Sequence, residues 1–237
     1  MEKWLGAALD YVPQWLEYQM RATEQPGCAV AIAERGRVVF ETAFGFADLG
    51  KGVALTPRHR FRVASHSKSF TAAGVMKLRE AGKLGLDDPV GRYVKGLHPA
   101  VARATLAQLL SHSAGIIRDG HDSGQWQDRR SFLNDTELRA ELAEKPVLEA
   151  NTRFKYSNHG FGLVGLVIEA VTGEPYVKWI QREIVEAAGL EETVPDWPLS
   201  RRVPFARGHT GKVLLGKRAV IPGENPTQAL AAATGFI

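Results

Sequence analysis

Ser65 stands three residues before Lys68 in the stretch Phe61-Arg62-Val63-Ala64-Ser65-His66-Ser67-Lys68-Ser69-Phe70-Thr71-Ala72. On a helix, positions three apart share a face, so the lysine amine can lie beside the serine hydroxyl and take its proton. A serine hydroxyl is a weak nucleophile without such a partner. The spacing therefore marks a candidate reaction centre. Tyr156-Ser157-Asn158, inside Phe154-Lys155-Tyr156-Ser157-Asn158-His159-Gly160, is a second polar group, just ahead of a predicted helix. A nearby lysine cation favours the phenolate of a tyrosine. Such a tyrosine can serve as a general base or carry a proton to a leaving group. An amide such as Asn158 can hold the lysine or a substrate carbonyl.

Other reactive side chains read as structural. Ser67 and Ser69 are helix-surface or packing residues, and Ser157 holds the turn that aims Tyr156. His66 either lines the entrance to the centre or is solvated. Trp126 either lines the substrate cleft or pins its own loop. His121, Asp122 and Asp128 lack the tight spacing of a metal site, so no metal is expected. The single cysteine, Cys28, reads as a small hydrophobe in a strand.

The elements that must position these residues follow from periodicity and breakers. Apolar residues at helical spacing run from Trp4 to Ala22, with Pro13 placed to kink the helix and Trp4, Tyr11 and Trp15 as packing residues. The runs Cys28 to Ala33 and Arg37 to Phe44, joined by Glu34-Arg35-Gly36, predict a β-hairpin. Phe61-Arg62-Val63 is a predicted short strand leading into a helix from Ser65 to Ala81. Further helices are expected over Thr105 to Ser111, near Asp135 to Ala143, over Asn158 to Thr172 with Gly173 as its stop, and from Pro175 to about Ala188. Ile116 to Arg130 is polar and aperiodic, which predicts a mobile loop. From Pro195 onward only weak strand signals remain. This order predicts an α+β domain: residues 1–64 form the N-terminal helix and first strands, 65–190 the nucleophile helix and a helical subdomain, and 191–237 an irregular segment.

Three more stretches stand beside the polar groups: Leu84-Gly85-Leu86-Asp87-Asp88-Pro89, Leu109-Leu110-Ser111-His112-Ser113-Ala114-Gly115 and Val171-Thr172-Gly173. With Ser65-x-x-Lys68 and Tyr156-x-Asn158, they resemble the serine β-lactamase and penicillin-binding protein superfamily, in its class C β-lactamase, D,D-carboxypeptidase and esterase branch. The resemblance implies an antiparallel sheet flanked by helices with a helical subdomain. It implies Ser65 as the acylated nucleophile, Lys68 as base or electrostatic partner, Tyr156 as proton shuttle and Asn158 as the group orienting substrate and Lys68. The Ser65 N–H would be one oxyanion donor, and His112 a structural hydrogen-bonding residue. The family's third motif, Lys- or His-Thr/Ser-Gly, has no Lys-Thr-Gly counterpart. His209-Thr210-Gly211 has the right letters but lies nearer Tyr156 than the family places the motif, so His209 is either a substrate-binding residue or part of an ordinary loop. Ala231 to Ile237 resembles the Ala-Gly-Gly segment that precedes that motif. The last strands are therefore expected outside these residues, with a second polypeptide as one way of supplying them.

The expected function is that of a serine hydrolase acting through an acyl-enzyme on an ester, amide, peptide or β-lactam carbonyl of a small molecule or short peptide, without a cofactor. The alternative is a catalytically silent binding or scaffold module of the same fold. The net charge of +4 comes from 30 Lys and Arg against 26 Asp and Glu, scattered along the chain, which argues against a nucleic-acid partner. No apolar run approaches the roughly 20 residues of a membrane span. Asp10 cuts the first apolar stretch short of a secretory leader, so a cytoplasmic location is expected.

Overall fold

The computed structural model describes residues 3–199, 203–212, 216 and 218–237. The chain divides into two compact units, one of residues 1–61 with 200–223 and one of residues 62–199 with 224–237.

The first unit holds the sheet. Helix α1 (Lys3–Thr23) runs through Pro13 as one element. Its buried residues are Leu5 and Leu9, one turn apart. Trp4, Tyr11 and Trp15, expected to pack, are instead 65%, 62% and 47% exposed. Spacings of seven and four set these aromatics on a single face, centred about a third of a turn from the face of Leu5 and Leu9, so the two sets do not share one neighbour. Strands β1 (Gly27–Glu34) and β2 (Arg37–Asp48) pair antiparallel. Their turn residues Arg35 and Gly36 are left-handed (φ 48° and 77°), the combination a two-residue hairpin turn requires. β2 also pairs with β3 (Val53–Ala54), giving the order β1-β2-β3. β4 (Gly208–His209) and β5 (Val220–Ile221) form a short antiparallel ribbon.

Phe61 to Val63 form no strand; Arg60 alone makes a bridge, to Phe205. The reason lies in the backbone hydrogen bonds. The Val63 N–H donates to the Phe236 carbonyl (3.0 Å), and the Val63 carbonyl accepts from the His66 N–H (3.1 Å). The chain has already entered a 3₁₀ turn, Ala64–His66.

The second unit is helical. It comprises α2 (Ser67–Glu80), α3 (Pro99–Arg103), α4 (Leu106–Leu110), α5 (Asp135–Leu142), α6 (Asn158–Thr172), α7 (Tyr176–Ile180), which runs into a π turn over Gln181–Glu186, and α8 (Ala231–Thr234). Helix α6 lies at its centre, buried without interruption from Asn158 to Ile168. Its sequence is apolar all round from Phe161 to Ile168, as a stretch enclosed on every side must be. Ser157 caps it, accepting the Gly160 N–H (2.8 Å), and left-handed Gly173 (φ 72°) ends it. Glycine lets neighbours approach closely: a Cβ on Gly165 would lie 3.0 Å from the Ala232 Cβ, and one on Gly162 would lie 2.9 Å from Leu138 Cδ2. Helices α4 and α5 open with capping boxes, Thr105 with Gln108 and Asn134 with Glu137. Each such cap is worth about 1 kcal/mol.

Candidate active site

Ser65 sits in the turn that feeds α2. The preceding Ala64 is left-handed (φ 46°), a strained conformation for a residue with a Cβ. Ser65 is exposed, whereas Lys68, in the first turn of α2, is buried. Lys68 Nζ donates to Asn158 Oδ1 (2.7 Å), to the Ala233 carbonyl (2.8 Å) and, over a longer distance, to Ser65 Oγ (3.3 Å). Those three bonds use all three donors of an ammonium. The Tyr156 hydroxyl lies closer to the nucleophile, 2.5 Å from Ser65 Oγ, and Lys68 Nζ is 4.9 Å from the Tyr156 ring centroid. Burial lowers the Lys68 pKa from its ordinary value; Tyr156 and Asp119 oppose that shift, and the Arg118 charge adds to it.

Three local devices bring these groups together. The Ser157 hydroxyl donates to the Ile117 carbonyl (2.6 Å) while it caps α6. The Asn158 N–H donates to the Arg118 carbonyl (2.9 Å), and Asn158 Nδ2 to Asp119 Oδ1 (2.5 Å). His112, left-handed at φ 57°, accepts the Ser157 N–H on Nδ1 (3.2 Å), and its ring lies 4.3 Å from the Tyr156 ring. Burial, and then the Lys68 charge, lower the His112 pKa. A neutral ring is the form that can accept that hydrogen bond. His112 is thus a strut behind Tyr156.

Ser65, Arg118, Asp119, Trp126, Tyr156 and Asn158, with Ala64 and Thr234, line a cleft of about 370 Å³. A larger hollow of about 580 Å³ around His98, Arg103 and Lys145 has no serine, threonine, cysteine or tyrosine in its lining, so chemistry favours the smaller one. Trp126 lines the cleft and also packs edge-on against Phe132 (5.2 Å, 89°). Its loop contains a 3₁₀ turn, Gly124–Gln127, with Gln125 buried. His66 is exposed and does not line the cleft. His121, Asp122 and Asp128 point to separate partners: Glu144, the Gly124 N–H and Asn225. His209 belongs to the other unit, where its Nε2 accepts the Leu49 N–H (3.1 Å). Sequence reasoning missed Asp119 and Arg118. Their one signal was an adjacent pair of opposite charges directly after Ile116-Ile117, at the head of a polar loop. Ala233, which supplies only a backbone carbonyl, gave none.

The fold is that of β-lactamases and transpeptidases. The octameric penicillin-binding protein homologue from Pyrococcus abyssi matches 96% of this chain with a TM-score of 0.83 and 27% identity, over 53% of its own chain. A class C β-lactamase matches 96% of this chain with a TM-score of 0.78 and 24% identity, over 60% of its own. Penicillin-binding protein 4* of Bacillus subtilis strain 168 is 31% identical over 167 residues, which is 69% of this chain and 37% of that protein. The β-lactamase family model matches residues 12–236, and the chain belongs to that family. The resemblance read from the Ser-x-x-Lys and Tyr-x-Asn stretches is borne out for family and fold. The chain spans 36–37% of the length of curated relatives it matches. Among the described residues, no helix is long and apolar enough to cross a membrane.

Proposed function

We propose that this chain carries the acylation centre of a serine hydrolase. The observation that carries the reading is the 2.5 Å contact between Ser65 Oγ and the Tyr156 hydroxyl, with Lys68 Nζ beside both. Ser65 Oγ attacks the carbonyl carbon of an ester, amide or β-lactam. Its proton passes to the Tyr156 oxygen and from there to the departing alcohol or amine. Tyr156 takes up the serine proton as it gives one to the leaving group, and the Lys68 charge lies beside that transfer. Lys68, whose Nζ donates to Ser65 Oγ over the longer 3.3 Å, acts as the electrostatic partner. Asn158 holds Lys68 in place, and the Ser65 N–H serves as one oxyanion donor. Water then releases the acid from Ser65.

The family, and neighbours described as a penicillin-binding protein homologue and a class C β-lactamase, support a carbonyl substrate of this kind, borne by a small molecule or short peptide. The test reads acylation itself. A fluorescent penicillin and a fluorophosphonate are incubated with the protein, and the adduct is mapped by peptide mass. Labelling on Ser65 that disappears in Ser65→Ala is expected. A folded protein that takes up neither probe would sink the reading and leave a silent binding module. Hydrolysis of p-nitrophenyl esters, D-amino-acid amides and nitrocefin would then sort the substrate classes.

A further inference from the structure

We infer that Asp119 is a positioning residue of this centre: it fixes the orientation of the Asn158 amide and thereby presents Lys68 to Ser65 and Tyr156 as an ammonium. The inference deepens the acylation reading and rests on it for its kinetic consequences.

The argument begins with the two ends of the Asn158 side chain. The amide nitrogen donates to Asp119 Oδ1 (2.5 Å), and the amide oxygen accepts from Lys68 Nζ (2.7 Å). A carboxylate only accepts hydrogen bonds, and an ammonium only donates them. Turning the amide over would set its NH₂ against the ammonium and its oxygen against the carboxylate. Asp119 therefore locks, from the far side, the orientation in which the Asn158 oxygen meets Lys68.

Asp119 is itself held. Its Oδ2 receives Arg118 Nε (2.9 Å). The loop carrying it is fastened to the start of α6 by the Asn158 N–H on the Arg118 carbonyl (2.9 Å) and the Ser157 hydroxyl on the Ile117 carbonyl (2.6 Å). The charges around Lys68 come from several elements. The loop supplies Asp119 and Arg118, the residue before the Ser157 cap of α6 supplies Tyr156, and the second residue after α4 supplies His112. Asp119 is the carboxylate among them. Its charge favours the ammonium, while burial and Arg118 disfavour it.

The test follows the Lys68 amine directly, by NMR of protein labelled with ¹⁵N-lysine. In Asp119→Asn, which keeps the side-chain shape, the Lys68 titration midpoint is expected at lower pH than in the parent. In Arg118→Gln it is expected at higher pH. A midpoint unmoved in folded Asp119→Asn overturns the inference, whether or not the parent protein is acylated. If the parent takes up no probe, the hydrolase reading fails while the NMR result still decides the role of Asp119. Where labelling occurs, its rate at neutral pH is expected to fall about tenfold in Asp119→Asn, with the alkaline limb of its pH profile moved to lower pH. A slower rate with an unchanged limb would assign Asp119 a purely structural role and also overturn the inference.

Discussion

A hydroxyl 2.5 Å from the nucleophile is a different proposition from an amine at 3.3 Å, and Tyr156 is where that difference can be read. Tyr156→Phe keeps the ring that packs on His112 and removes only the oxygen. The labelling rate of Ser65 is expected to fall by roughly 10²–10⁴, the usual worth of a positioned proton carrier. The unfolding midpoint in urea should hardly move; a large loss of stability would mean that the hydroxyl supports the fold. Ser65, Lys68, Tyr156 and Asn158 were legible because each is a polar type at a short, chemically meaningful spacing. Asp119 was not. Arg118-Asp119 reads as a solvated ion pair, and its decisive partner, Asn158, lies 39 positions further on.

Among the elements, the loop that carries Asp119 depends on Gly120. That residue is left-handed (φ 80°), and a Cβ on it would lie 2.2 Å from Glu141 Oε2. Glu141 is already committed to fully buried His159, at 2.7 Å. Gly120→Ala is expected to lose roughly 2 kcal/mol of stability in urea unfolding, from both conformation and crowding. Acylation should slow as well, because the displaced loop carries Asp119. A second test lies between α6 and α7, where Glu169 Oε1 accepts the Tyr176 N–H (2.7 Å). Burial raises the Glu169 pKa above its ordinary 4.5. The folded state thus holds that proton more tightly than the unfolded chain does. The stability this gives is present below 4.5 and is lost as pH rises through the higher folded value. Glu169→Gln keeps an acceptor for the Tyr176 N–H, so it should match or exceed the parent at pH 7 and lack that decline. Unfolding of both proteins across the acidic range checks the slope. The sequence marked α6 well, since Ser157 and Gly173 are strong start and stop signals. It overstated Phe61 to Val63 because apolar residues there suit a strand, while their backbone partners lie far away in sequence, at Phe236.

At the scale of the molecule, the segment from Ala231 to Ile237 connects the helical core to the site. Phe236 is fully buried and stacks on Phe70 (4.3 Å), and its N–H donates to Ser67 Oγ (3.1 Å). Phe236→Ala is expected to cost about 3–5 kcal/mol by leaving a cavity in the core. It should also weaken Ser65 labelling under conditions where the variant remains folded, because the same segment presents Ala233 to Lys68. Labelling at the parent's rate in the folded variant would separate the core from the chemistry. The family and the α+β class were readable from scattered motifs. This closure of the core was not, since an Ala-rich run carries no periodicity that says what it packs against.

The Ala233 carbonyl has a consequence of its own. It accepts from Lys68 at 2.8 Å, across 165 positions of sequence. Every amino acid brings that oxygen with it, so no exchange of side chains can delete the contact, and an alanine scan passes over the position without changing an atom. A ligand of the reactive amine is thus hidden from ordinary mutagenesis. Only an edit to the main chain itself would expose it, such as an α-hydroxy acid in place of Thr234, whose ester linkage leaves the Ala233 oxygen a poorer acceptor.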